Sequence, residues 1–205
     1  MDDEVKRRAY TSPGRRAQSG ATRARIIDAA AELFLAQGYA RASTRAIGSA
    51  AGVSEASVFA NFGSKARLLA FVIVDRVTAD ADFPLSAGGA LSPGMPAEEA
   101  AAVLARIIRR AHERSWRLLS IGAAAAIDDP ELAAVMRRGG ERRLSDLRWV
   151  AQEILGADEV GRVAEALWAI AAVDGYRHLV VDLGWTPDDY EAWLAHLIVA
   201  STRLR

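Results

Sequence analysis

The 205-residue chain has no cysteine, its 26 Lys and Arg balance 26 Asp and Glu, and it is 51% hydrophobic and 25% charged. These values exclude a disulfide scaffold, a thiolate zinc site and a cysteine nucleophile. They argue against a uniformly basic nucleic-acid coat, a polybasic membrane binder and an acidic tail protein. The composition is globular, and the length suits one large domain or two small ones.

The neutral total hides a split. Up to residue 70, eleven basic residues stand against six acidic ones, so this third carries +5 and the remainder −5. A basic end on an acidic body points to contact with a polyanion at that end. A chance excess is the plain alternative.

In chain order, residues 1–20 are polar, contain Ser12-Pro13-Gly14 and carry Lys6, Arg7, Arg8, Arg15 and Arg16. They read as a flexible basic arm without the apolar stretch of a signal peptide. Such an arm either lies along phosphates or in a minor groove, or is a tail with no role. Ile26, Ala30, Leu33, Phe34 and Gln37 then repeat at helical spacing, with Thr22 as N-cap and Gly38 just past the end. Ser43 or Thr44 caps a short helix through Ile47 and Ala51, stopped by Gly52. Ser54 caps another carrying Val58. Gly63-Ser64 ends that helix and starts a longer one with Leu68, Leu69, Val72 and Arg76. Ala81 to Pro96 holds three prolines and three glycines in sixteen residues, which predicts a linker.

Beyond the linker, Pro96 or Ala97 starts a helix through Leu104, Ile107, Ile108 and Ala111, and Arg114 to Ile127 continues or restarts it. Asp128-Asp129-Pro130 opens the next, to about Leu155, with Gly139-Gly140 as a candidate kink. Asp158 opens a helix to about Asp182, and Thr186-Pro187 opens the last, to about Leu204. No strand alternation is present, and the alanine-rich segments favour helix throughout. The longest charge-free run that could be helical, Leu118 to Ile127, has ten residues, short of the roughly 18 that a membrane span needs. The expectation is a soluble, cytoplasmic protein with no membrane partner.

Residues 44–62 have the plan of a helix-turn-helix. Two short helices are joined by Ala51-Gly52-Val53-Ser54, and Ser54 caps the second, whose N-terminal side chains would face base edges. Around this plan stand Thr22-Arg23, Ile26-Ile27-Asp28-Ala29-Ala30, Leu33-Phe34, Gly38-Tyr39 and Ser43-Thr44-Arg45-Ala46-Ile47. Ala50-Ala51-Gly52-Val53-Ser54, Val58-Phe59-Ala60-Asn61-Phe62, Gly63-Ser64-Lys65 and Leu68-Leu69 complete the pattern. On these residues the chain resembles the TetR family of bacterial transcription regulators (TetR/AcrR-like), without gaps, over about Thr22 to Ile73.

The resemblance implies an all-α fold. A three-helix helix-turn-helix DNA-binding domain (residues 21–66) would follow the arm (1–20) and precede a larger helical domain for ligand binding and dimerisation (67–205). It implies a sequence-specific DNA-binding regulator, usually a repressor released from its operator by a small molecule. The partners would be a near-palindromic double-stranded operator, a second copy of the chain as homodimer, and an effector of unknown identity. A ligand-independent architectural DNA-binding protein is the alternative.

By the same resemblance, Thr44 is a phosphate-contacting threonine at a helix N-terminus. Arg45 contacts either a guanine edge or a phosphate. Lys65, one of two lysines in the chain, is a phosphate-binding lysine. The recognition helix would present Ser54, Glu55, Ala56, Ser57, Phe59, Ala60 and Asn61. Phe59 stands where the family usually has a Tyr that donates to phosphate, and Ala60 where a larger residue is common. Readout would then lean on Arg45, Asn61, thymine methyls and DNA shape. Glu55 either accepts from a cytosine amine or repels phosphate or caps the helix.

The C-terminal half offers two further sets of candidates. Trp168, Ala171, Gly175, Trp193 and Leu197 lie on apolar faces that could pack as a four-helix bundle across a two-fold axis. His112, Trp116, Met136, Trp149, Asp174, Tyr176 and His178 are polar or bulky groups in apolar helices. They could line a pocket or be ordinary core, and Asp174 and His178 stand one turn apart. Five tryptophans favour an aromatic or apolar effector. The arginines at 106, 109, 110, 114, 117, 137, 138, 142 and 143 suit an anionic effector, or a solvated face paired with Glu98, Glu113, Glu131 or Glu141. The three histidines (His112, His178, His196) lack metal spacing, and no phosphate loop or nucleophile elbow is present. No catalysis and no cofactor are expected.

Overall fold

The computed structural model describes residues 13–79 and 89–203. Helix α1 (Pro13–Arg41) begins inside the segment expected to be an arm. Proline is at home in a helical first turn, and the Ala- and Arg-rich sequence after it propagates the helix. Thr22 therefore lies within α1 and not at its N-cap, a correction to the expected start. Residues 1–12 of the arm lie outside the described residues. Gly38, at φ 76° and ψ 169°, interrupts α1 where the sequence placed the helix end; only glycine takes that backbone without strain.

Three serines set the next three helices. Ser43 accepts from the Ala46 amide to cap α2 (Thr44–Ala50). Ser54 accepts from Ser57 to cap α3 (Glu55–Phe62), and Ser64 accepts from Arg67 to cap α4 (Lys65–Val77). Each hydroxyl satisfies one amide that a helix start would leave without a partner. Ile26, Ala30 and Phe34 of α1 close over Ile47, Val58, Phe62, Leu68, Leu69 and Val72 to make one core. Leu118 and Leu132, from the next two helices, complete it. The packing thus runs through α4 without a break after residue 66.

Residues 80–88 of the expected linker lie outside the described residues. Helix α5 (Ala97–Ala125) is one continuous helix, so the stretch from Arg114 continues it and does not restart. Asp129 caps α6 (Pro130–Trp149), which has proline in its first turn and stays helical through Gly139-Gly140, so no kink forms there. A π-helical turn, Val150–Ile154, continues it. The single helix expected over 158–182 is instead three pieces: α7 (Val160–Ile170), α8 (Val173–Tyr176) and a π-helical stretch, Arg177–Asp182. The break falls at Ala172, whose backbone is extended (φ −72°, ψ 143°). Beside it the Arg143 Nη2 donates to the carbonyls of Trp168 (3.1 Å) and Ala171, which the helix end leaves without amide partners. Thr186 caps α9 (Pro187–Ser201), as its Thr-Pro start predicts.

A second core joins α5, α6, α7 and α9 through Leu104, Ile107, Leu147, Val150, Val163, Leu167, Tyr190, Leu194 and Ile198. Polar ties join the N-terminal helices to α5 and α6. Tyr39 Oη donates to Asp129 Oδ2 at 2.7 Å, and Ser64 Oγ to Glu131 Oε1 at 2.7 Å. Arg114 Nε donates to the Arg76 carbonyl at 3.0 Å. No single described helix is long and apolar enough to cross a membrane.

Candidate nucleic-acid interface

The N-termini of α2 and α3 meet at one carboxylate. Glu55, first residue of α3, accepts from the Thr44 hydroxyl through Oε1 at 2.5 Å. Its Oε2 lies 3.6 Å from Arg45 Nε. The Arg45 side chain is otherwise open to solvent, at 86% exposure. Glu55 thus neutralises part of the positive end of α3 and holds both groups that resemble DNA contacts. The sequence offered Glu55 as a base acceptor, a phosphate repellent or a cap. The geometry adds a bridge between the two helices.

Along α3 the outer face carries Ala56, Phe59 and Ala60, all exposed, with Phe59 at 45%. Ser57 Oγ lies 2.9 Å from Ser54 Oγ. Asn61 turns back onto its own helix, its Nδ2 donating to the Ser57 carbonyl at 2.8 Å. Lys65 is also engaged internally. Its Nζ donates to the carbonyls of Tyr39 (3.0 Å) and Ala40 (3.4 Å) and sits 4.3 Å from the Tyr39 ring centroid. Thr44, Arg45, Ser54, Glu55, Ser57, Phe59 and Ala60 therefore cluster at one end of the molecule. Asn61 and Lys65 lie beside them with their polar groups already paired.

Two residues the sequence did not single out support this face. Arg23 slots between the rings of Phe62 and Phe71, 4.5 and 4.3 Å from their centroids, and donates to the Asn61 carbonyl at 3.0 Å. Gly48 lets α2 pass the turn. A Cβ there would meet the Val53 carbonyl oxygen at 3.0 Å and the Glu55 amide nitrogen at 3.3 Å. A glycine in mid-helix is the sequence signal for such a close approach.

The ligand candidates do not form one group. His112 and Tyr176 pack with Tyr190, the ring centroids lying 5.2 to 6.3 Å apart. His112 Nδ1 is 3.3 Å from the Tyr190 hydroxyl. Burial, and then the nearby Arg143 charge, push the His112 imidazole down to about 3, so it is neutral. Trp116 and Trp149 are half-buried against the same core. Met136 belongs elsewhere, over Gly122 and against the first core. Asp174 and His178 are exposed and do not pair with each other. Asp174 lies 3.8 Å from Arg177, and His178 lies 3.1 Å from Asp182. The larger surface hollow described, about 380 Å³ between α5 and α9, is lined by Glu98, His196, Val199 and Arg203 among others, and by none of these candidates.

The dimer candidates divide similarly. Trp168 is exposed, while Gly175, Trp193 and Leu197 are half-buried. Ala171 is buried within the protomer, at 2% exposure. Val181, Leu183 and Trp185 add exposed apolar surface, and Trp185 meets Trp193 edge-on with centroids 6.4 Å apart.

Residues 26–72 match the family model described as bacterial regulatory proteins, tetR family. No curated protein matches the chain. Among solved structures, the chain is similar to NalD of Pseudomonas aeruginosa, the secondary repressor of the MexAB-OprM multidrug efflux pump. Identity is 22% with TM-score 0.65, covering 91% of this chain and 96% of NalD. A TetR-family member from Streptomyces coelicolor A3 has 24% identity and TM-score 0.59, covering 86% of this chain and 98% of that one. The flavonoid-responsive regulator FrrA has 29% identity and TM-score 0.59, covering 89% and 93%. Residues 26–72 thus match the helix-turn-helix domain of the tetR family of bacterial regulatory proteins, and the fold of the whole chain is similar to that of a solved TetR-family member.

Proposed function

We infer that the chain is a sequence-specific DNA-binding repressor that acts as a homodimer and leaves its operator when a small molecule enters the C-terminal half. The observation that carries the DNA-binding part is the cluster of Thr44, Arg45 and Glu55 at the paired helix N-termini, beside an exposed face on α3. Arginine beside a helix N-terminus suits either a guanine edge or a phosphate. The dimer reading rests on the exposed Trp168, Val181, Leu183 and Trp185 and the half-buried Trp193 and Leu197. Large apolar side chains exposed in this number are costly on a monomer. Two-fold pairing there would set two α3 helices about 34 Å apart on successive major-groove faces of a near-palindrome. Communication between the halves is supported by the Tyr39–Asp129 and Ser64–Glu131 hydrogen bonds, which tie both flanks of the reading head to the start of α6.

Selection of bound sequences from random duplex DNA, followed by footprinting, tests this reading. The expected outcome is one short inverted repeat, protected by a dimer. Even protection without sequence preference would support the architectural alternative and overturn the regulator.

A further inference from the structure

Three arginines of the C-terminal half face carboxylates. Arg109 meets Glu113 and Glu191, Arg106 meets Glu191, and Arg177 meets Asp174 and Asp182. Arg143 meets none among the described residues. It extends from α6 into the second core, close enough for its charge to act on both His112 and Tyr190. Its Nη2 alone is engaged, on the carbonyls of Trp168 and Ala171. Nε and Nη1 have no protein acceptor among the described residues, and a guanidinium offers five donors in all. The two groups its charge reaches are neutral: a deprotonated His112 imidazole and the Tyr190 hydroxyl, held above its ordinary range by burial.

A partly buried guanidinium without a counter-charge is costly, and the cost falls when an anion joins it. The surroundings suit a small amphiphile. His112, Tyr176 and Tyr190 give rings packed at tilted and edge-on angles and two hydroxyls, and Trp116 and Trp149 lie half-buried on the same core. α7 ends in the extended Ala172, and π-helical turns, common at functional sites, occur at Val150–Ile154 and Arg177–Asp182. The guanidinium carbon lies 6.0 Å from the ring of Trp168, which is exposed, so its path to solvent is short.

We propose that the effector is an anionic small molecule, an aryl or alkyl carboxylate, whose carboxylate is held by Arg143 beside the His112–Tyr176–Tyr190 rings. This rests on the reading of the C-terminal half as ligand-responsive and adds the chemical class of the ligand. The carboxylate would take the open guanidinium donors in a charge-assisted pair, and the hydrocarbon part would lie against the rings.

The test uses the full chain and three matched series: benzoate and decanoate, benzamide and decanol, and decyltrimethylammonium. Binding is measured by calorimetry and thermal shift, and DNA release by fluorescence anisotropy on a selected operator. Carboxylates are expected to bind at least about tenfold more tightly than their neutral counterparts, with the cation weakest. Arg143→Gln is expected to erase that preference while leaving neutral binding in place. Arg143→Lys keeps the stem and charge but loses the planar fork, and is expected to retain part of the preference. It carries the test if circular dichroism finds the Gln variant unfolded. Equal binding of neutral and anionic compounds, or an unchanged preference in both variants, would overturn the proposal. Neutral compounds that release DNA where carboxylates do not would sink the anion assignment and leave the ligand-responsive reading standing. Silence from every series would sink both. If Arg143→Gln dissociates the dimer and keeps the carboxylate response, a second copy supplies the counter-charge and the proposal fails.

Discussion

The Tyr39 hydroxyl donates at 2.7 Å to Asp129, ninety positions away in the chain, and so pins the end of α1 to the N-cap of α6. Asp129 also accepts from the Leu132 amide at 2.9 Å. That backbone bond first, and the Tyr39 hydroxyl second, hold its carboxyl below the ordinary range. A bond to a charged acceptor contributes about 1.5–3 kcal/mol when shielded. Asp129 is only half-buried, so solvent screening brings this to about 1 kcal/mol. Tyr39→Phe is expected to lower stability by that amount in a urea titration. The depressed carboxyl contributes fully above its unfolded value of about 4 and loses that contribution as pH falls through the lower folded value. The difference between Tyr39→Phe and the parent should shrink in step at acid pH. The Tyr39 side chain is buried in the first core rather than on the outer face of α3, so operator affinity without effector should hold within about twofold.

His112 gives the clearest pH dependence. Its folded value is about 3 against an ordinary 6.5. Between those limits the unfolded chain takes up a proton that the folded chain refuses. Stability is therefore full above about pH 6.5 and falls as the solution is acidified, by at most about 1.4 kcal/mol per pH unit for this group. His112→Gln, which cannot titrate, is expected to flatten that part of the profile. Chemical denaturation from pH 7.5 to 4.5 checks this, and parallel profiles for the two proteins would refute it.

Glu55 holds Thr44 and Arg45 and puts a negative charge where phosphates would approach. Glu55→Gln removes that charge and releases Arg45. The expected result is tighter binding to DNA of any sequence, with a steeper salt dependence. Arg45→Ala separates the two roles of the arginine. Loss of about 1–3 kcal/mol confined to one base position marks guanine readout. A uniform loss across sequences, with the salt slope lowered by about one, marks a phosphate contact. Binding isotherms at several salt concentrations on single-position operator variants distinguish them.

The capped starts were legible because their chemistry is local. Ser43, Ser54, Ser64, Asp129 and Thr186 each bond an amide two or three residues on, which spacing alone reveals. The break at Ala172 was not legible, because no proline or positive-φ residue marks it. Its stabilising partner, Arg143, lies 28 positions away from Ala171 in a run of arginines that look alike in sequence. Asp174 and His178 stand one turn apart only in a regular α-helix, and the change from α8 to the π-helical stretch falls between them. On the reading head, residue types identified Thr44, Arg45 and Glu55 separately, but their convergence depends on the turn that packs α3 against α2.

That turn depends on Gly48. A Cβ there would sit 3.0 Å from the Val53 carbonyl oxygen and 3.3 Å from the Ser54 carbonyl carbon and the Glu55 amide nitrogen, all main-chain atoms. The Val53 amide also donates to the Gly48 carbonyl at 2.9 Å, so the turn has little room to give. Overpacking of this kind costs about 1–3 kcal/mol, against which alanine recovers up to about 1 kcal/mol of helix propensity. Gly48→Ala is therefore expected to destabilise the protein by about 1–2 kcal/mol. By moving Glu55 off Thr44 it should also weaken operator binding more than it weakens the fold. Gly139, inside α6 with no heavy atom near its own added Cβ, is the matched control. There the propensity gain stands alone, and Gly139→Ala should stabilise by up to about 1 kcal/mol. Thermal unfolding and anisotropy titration of the two variants side by side decide it. A stabilised Gly48→Ala with unaltered DNA affinity would show that the turn is not tight.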